Sequence, residues 1–266
     1  MIEKNIYPSK HSTKENFPTP ILEACIDSVE SAIAAARGGA DRFELCSNLI
    51  IGGTTPSGAL IKEIRKVTNI PIRVLIRPRF GDFCYTDYEF AIMNEEVKKF
   101  RQLGADGVVI GILNPDGQLD MDRMKTLIEQ AGDMHVTLHR AFDVCRNPYD
   151  VLEQSKVLGI DTILTSGQEN HCMEGKELLK KLVQQAGDDV EIMIGSGVNA
   201  EVISQLASYT GAHAFHMSGK KEIESSMSYR NENVSMGLPV MSEYTIWRTA
   251  EEEIRKAYIA LHGKKE

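Results

Sequence analysis

The clearest regularity along the chain is an alternation of short apolar stretches, which read with a period of two, and longer stretches, which read with the helical period of 3.6. It begins at Pro20 and recurs to the end of the sequence. The first unit predicts a strand at 21–25 and an alanine-rich helix at 28–37 that stops at Gly38-Gly39. The second predicts a strand at 42–46, a glycine loop at Gly52-Gly53-Thr54-Thr55 and a helix from Pro56 to about Val67. A third strand at 71–77 runs into a long loop that reaches Tyr85, ahead of a helix at 87–103. The remaining strands fall at 107–111, 134–139, 161–165, 191–194 and 214–217. Their helices fall at 120–131, 148–158, 176–185 and 200–208, and a polar segment at 220–238 precedes a final helix at 242–261.

Three of these helices end in a related phrase: Gly38-Gly39-Ala40-Asp41, Leu103-Gly104-Ala105-Asp106 and Leu158-Gly159-Ile160-Asp161. Glycine at a helix end permits the left-handed cap, and the next strand follows within a few residues. Eight strand–helix units with repeated punctuation predict an α/β fold, a (β/α)8 TIM barrel in one domain. The 266 residues of the chain fit that size, typically about 250 residues. A doubly wound open sheet is the competing architecture, but its Gly-rich fingerprint after the first strand is absent. Residues 1–18 read as a flexible polar leader, with the barrel domain spanning 19–266.

Apolar residues on the helix-facing side set each strand's register. Leu22 and Ala24 face the helices, so Glu23 and Cys25 face the lumen; Phe43 and Leu45 likewise leave Arg42, Glu44 and Cys46 inside. The same logic turns Arg73, Leu75, Arg77 and Arg79 inward from the third strand, His135, Thr137 and His139 from the fifth, and Glu191, Met193 and Gly195 from the seventh. The lumen is therefore unusually polar for a barrel, and buried charges there require partners. Arg42, Arg73, His135 and Glu191 lie low in their strands and read as a structural, mutually paired layer. The others lie at the C-terminal strand ends, where barrel active sites form.

Charge and cysteine usage narrow the function. A net charge of −8 argues against nucleic acid and membrane surfaces as partners. No run of apolar residues is long enough for a membrane span. The five cysteines are odd in number and contain no CxxC, which predicts reduced thiols and a cytoplasmic protein.

The sharpest chemical feature is the repeat Glu23-x-Cys25 and Glu44-x-Cys46 on neighbouring strands, which predicts two carboxylates in one layer and two thiols in the layer above. Paired thiols suit a soft ion such as Cu(I), or they pack as small hydrophobes. Close carboxylates push one pKa up and make Glu23 and Glu44 acid/base candidates, unless a lumen arginine such as Arg77 neutralises them. His139 is a third candidate, with an intrinsic pKa near neutrality. Arg77 and Arg79, with Asp82 beside them, suit bidentate capture of a carboxylate or phosphate, or else pair with the carboxylates. Gly195 and Gly197 in the turn after the seventh strand, Ser166 after the sixth and Ser218 after the eighth suit an anion held by backbone N–H groups.

Together these segments resemble the CutC family, over residues 20 to about 250. The resemblance is carried by 38–46, by Gly52-Gly53-Thr54-Thr55-Pro56-Ser57, by the run 76–85 (IRPRFGDFCY), by His139-Arg140-Ala141-Phe142-Asp143 and by Leu164-Thr165-Ser166-Gly167-Gln168. The leader before Pro20 is additional, and Phe80 stands where glycine is common in the family. The resemblance implies a TIM barrel, a cytoplasmic location, a homodimer, and a role in copper homeostasis with Cu(I) held by Cys25 and Cys46. The alternative from the residues themselves is an enzyme acting on a small anionic or phosphorylated substrate at the C-terminal face.

Overall fold

The computed structural model describes residues 19–231, 233–237 and 241–263. The leader at 1–18 lies outside the described residues. Eight parallel strands close into a barrel in chain order: β1 (Ile21–Ile26), β2 (Arg42–Leu45), β3 (Ile72–Leu75), β4 (Gly107–Ile110), β5 (His135–Leu138), β6 (Thr162–Thr165), β7 (Glu191–Ile194) and β8 (Ala214–Met217). The TIM-barrel expectation is met. Seven helices connect or follow them: α1 (Val29–Gly38), α2 (Gly58–Arg65), α3 (Asp87–Gln102), α4 (Met121–Ala131), α5 (Pro148–Leu158), α6 (Lys176–Ala186) and α7 (Ala200–Thr210).

The repeated aspartates explain part of the closure. Asp41, Asp106 and Asp161 each stand just before an even-numbered strand. Each uses its Oδ2 to accept a backbone N–H at the start of the preceding odd strand: Leu22 at 2.8 Å, Ile72 at 2.7 Å and Val136 at 2.7 Å. The phrase that ends a helix thus also satisfies an otherwise open strand donor. Helix starts are fixed by Ser28, Ser57, Thr86, Asp120, Asn147 and Asn199, whose side chains accept first-turn N–H groups.

Between barrel and helices lies the main core, which includes Phe43, Phe100, Phe142 and Phe215, all fully buried. Inside the lumen two smaller apolar clusters, Cys25–Cys46–Leu75–Val109 and Leu164–Met193–Ala214, flank a charged centre. There Arg42 Nε donates to Glu23 at 2.5 Å, and its guanidinium also lies 3.6 Å from Glu191. Arg73 donates to Thr137 and Thr162 at 2.9 and 2.8 Å. The low layer is paired, as its position in the strands predicts; His135 stands apart from it, 3.8 Å from Asp161 at a more exposed edge.

The C-terminal region departs from the pattern reading. The segment from 220 is not merely polar connection: β9 (Lys220–Glu224) pairs antiparallel with β10 (Thr245–Thr249) as a ribbon outside the barrel. The last helix, α8 (Glu251–His262), starts later than residue 242. The alternation Thr245-Ile246-Trp247-Arg248-Thr249 is a strand signal, and the three glutamates Glu251, Glu252 and Glu253 sit in the true first turn. α8 packs across α1, where Gly38 lets Ile254 approach: a Cβ at 38 would lie 2.6 Å from that of Ile254.

Candidate functional site

A cavity of about 370 Å³ opens at the C-terminal ends of the strands. Cys25, Glu44, Leu75, His139, Leu164, His216 and Met217 form its strand-borne wall, and Arg77, Phe83, Arg140, Gly197, Ser218 and Lys220 come from the loops above.

Its floor is a connected network. Register pairs Glu23 with Arg42 and Cys25 with Glu44 across the β1–β2 step. The carboxylates are therefore not level, as simple repetition of Glu-x-Cys suggests. Barrel strands are staggered by the shear of closure, so β2 is offset by two residues against β1. Glu23 sits beside Arg42 below, Glu44 sits beside Cys25 above, and Cys46 lies one step higher. The Cys25 thiol donates to Glu44 Oε2 at 2.9 Å, and the Cys25 and Cys46 sulfurs lie 3.7 Å apart. At the seam, β8 pairs with β1 and brings His216 opposite Glu23. His216 Nδ1 is 2.8 Å from Glu23 Oε1, and its Nε2 is 3.8 Å from Glu44 Oε2.

Burial opposes ionisation of Glu23, but the Arg42 guanidinium and the hydrogen bond and charge of His216 outweigh it and hold the carboxyl far below the usual range. For Glu44, burial prevails over the attraction of His216, and the charge of Glu23 adds to it, so its pKa is raised. Burial also works against a charged His216, yet Glu44 and Glu23 raise its basicity above normal. Both thiols are less acidic than usual: Cys25 through its bond with Cys46 and burial, Cys46 because burial and Glu44 override the favourable bond from Cys25.

The wall holds a different balance. Arg77 is buried, and its guanidinium donates to the carbonyl oxygens of Gly52, Gly53 and Gly81. It has no carboxylate partner among the described residues, and its Nε has no acceptor. Phe83 lies under it at 5.0 Å and also packs on the His139 ring.

The CutC family model matches residues 20–221, which contain all eight barrel strands. The chain belongs to the CutC family. A family protein CutC of Parabacteroides distasonis is 45% identical over 241 residues, 90% of this chain and 99% of its own. The human copper homeostasis protein cutC homolog is 40% identical over 236 residues, 88% of this chain and 86% of its own. The crystal structure of CutC from Streptococcus agalactiae matches with a TM-score of 0.72 at 32% identity, covering 75% of this chain and 99% of that one.

Within this CutC barrel the sequence-derived candidates separate into two groups. Cys25, Glu44, Arg77, His139, Gly197 and Ser218 line the cavity, with Glu23 and Cys46 directly behind. Arg79, Asp82, Ser166 and Gly195 do not line it. Arg79 turns outward to Asp82 and Glu89, at 2.9 and 2.6 Å, because β3 ends at Leu75 and the loop beyond, with Pro78 in it, no longer alternates. Ser166 is drawn under the loop by Asp143, which accepts from the hydroxyl of Thr165, the amides of Ser166 and Gln168 and the Ser166 hydroxyl. Arg77 does not neutralise either carboxylate; Arg42 holds Glu23. His139 is not poised near neutrality: burial and the nearby Arg77 push it down to about 3, and its Nδ1 accepts from the Ala141 amide.

His216 lines the same cavity and is absent from the candidates that the pattern supplied. Phe215 packs in the core between barrel and helices, so the alternation in β8 already turned its neighbour His216 inward at a C-terminal strand end. A closed barrel sets the last strand beside the first, but the register at that seam, which puts His216 opposite Glu23, is not written in the linear sequence. Among the described residues no helix is long and apolar enough to cross a membrane.

Proposed function

We propose that this CutC family member handles copper in the reducing cytoplasm, holding one Cu(I) ion per chain between Cys25 and Cys46. The observation that carries this reading is the pair of free sulfurs 3.7 Å apart at the cavity floor. Cu(I) is soft and prefers thiolates, and a two-sulfur site needs only a small opening of that distance. Both thiols are protonated near neutrality, so binding must displace two protons. Glu44, already the acceptor of the Cys25 proton, is placed to receive one. The name copper homeostasis protein carried by the human relative supports the same reading. Anaerobic titration against a chromophoric Cu(I) chelator tests it: one ion per chain in the wild type and none in Cys25→Ser/Cys46→Ser. Stoichiometric binding by the double variant would end the proposal.

A second reading rests on Arg77. A buried guanidinium without a carboxylate among the described residues, in a cavity that also receives Arg140 and Lys220, favours a small organic anion such as a carboxylate or phosphate ester. Copper between two thiols does not need these cations. Thermal-shift screening of small anionic metabolites, with Arg77→Met as control, tests it. A shift that persists in Arg77→Met places the anion elsewhere.

A further inference from the structure

We infer that Cys25, Glu44 and His216 form a three-ligand zinc(II) site with its open position toward the cavity, a second metal mode that shares only Cys25 with the copper reading. Three ligand atoms, one sulfur, one carboxylate oxygen and one imidazole nitrogen, lie within 4.8 Å of one another. Zinc bonds of about 2.0 to 2.3 Å place tetrahedral ligands roughly 3.3 to 3.7 Å apart. The Cys25–Glu44 and Glu44–His216 separations of 2.9 and 3.8 Å straddle that range. The remaining edge, within 4.8 Å, closes by about 1.5 Å at most, within the reach of side-chain rotation.

The second observation is the support behind the histidine. His216 Nδ1 is engaged by Glu23 at 2.8 Å, and Glu23 is held by Arg42 at 2.5 Å. A metal-ligating histidine characteristically gives its other ring nitrogen to a carboxylate, which fixes the tautomer and the ring plane. Here that arrangement leaves Nε2 as the atom turned toward Glu44. The set of three also matches catalytic rather than structural zinc sites, which keep one position free. Cys25, Glu44 and His216 all line the same cavity as Arg77, so an anion held by Arg77 would stand over the metal. Cys46 is fully buried behind Leu75 and Gly53 and is no part of this set.

The test uses the full chain, reduced, stripped with a chelator, and titrated with zinc sulfate alone against a chromophoric zinc chelator. The wild type is expected to take one zinc per chain. Cys46→Ser should keep zinc and lose Cu(I), whereas His216→Gln should keep Cu(I) and lose zinc affinity by about tenfold or more. Wild-type zinc affinity in His216→Gln, or equal losses in Cys46→Ser and Cys25→Ser, overturns the assignment. Should His216→Gln fold poorly, cobalt(II) loaded into the wild type decides. A thiolate-to-cobalt charge-transfer band with intense visible d–d bands supports the site, and their absence refutes it.

Discussion

His139 makes the barrel sensitive to acid in a way that can be worked out from its surroundings. Its ring is buried, packs on Phe83 with centroids 4.8 Å apart, and accepts the Ala141 N–H on Nδ1 at 3.1 Å. Its Nε2 has no partner among the described residues. Protonation would place a second charge near Arg77 in a dry site and turn Nδ1 from acceptor into donor against an N–H. Burial first, and then the charge of Arg77, push the pKa from 6.5 down to about 3. Between those values the unfolded chain binds the proton and the native chain does not, so stability falls as the pH drops below about 6.5 and the loss is complete near 3. At pH 4.5 the difference of two units corresponds to about 2.7 kcal/mol, at roughly 1.36 kcal/mol per unit. The assay is urea unfolding at pH 7.5 and 4.5 for the wild type and for His139→Gln, whose amide oxygen can still accept from Ala141. All other titrating groups are common to both proteins. The wild type should lose about 2 to 3 kcal/mol more than the variant on acidification, a gap of about 1 M in the urea midpoint. Equal losses in the two proteins would refute the reasoning, whatever the stability of the variant at pH 7.5.

Three other perturbations have definite expected outcomes. Arg42→Met leaves Glu23 buried with its main counter-charge removed; a loss of about 3 to 5 kcal/mol is expected, read as a thermal midpoint about 10 °C lower. Asp143→Asn replaces an acceptor that Arg140, Thr165, Ser166 and Gln168 all converge on. It should lower stability by about 2 to 3 kcal/mol in urea unfolding, and a change under 0.5 would show that the loop is held otherwise. Gly111→Ala sets a methyl 2.6 Å from the His139 ring and should cost about 1 to 3 kcal/mol by calorimetry while leaving Cu(I) stoichiometry at one.

Most of the architecture was legible in the linear pattern because each βα unit carries its own signals. Apolar alternation, a capping Ser, Thr, Asp or Asn, and a glycine at the helix end are all local. The C-terminal ribbon was read less well, since β9 is exposed along its whole length and shows no buried face to give a period. Arg79 lies outside the lumen for a related reason: strand alternation does not extend past the end of β3 at Leu75.

The candidate site divides along the same line. Which side chains enter the lumen follows from the sequence alone, since in-and-out alternation is a property of each strand. Which of them meet does not. The stagger between β1 and β2 put Glu23 against Arg42 and Glu44 against Cys25, where the repeated Glu-x-Cys suggested carboxylate beside carboxylate. Closure of β8 on β1 joined His216 to Glu23 across 193 residues of chain. The stagger between neighbours and the register at the closing seam belong to the whole ring of strands, and only the assembled barrel determines them.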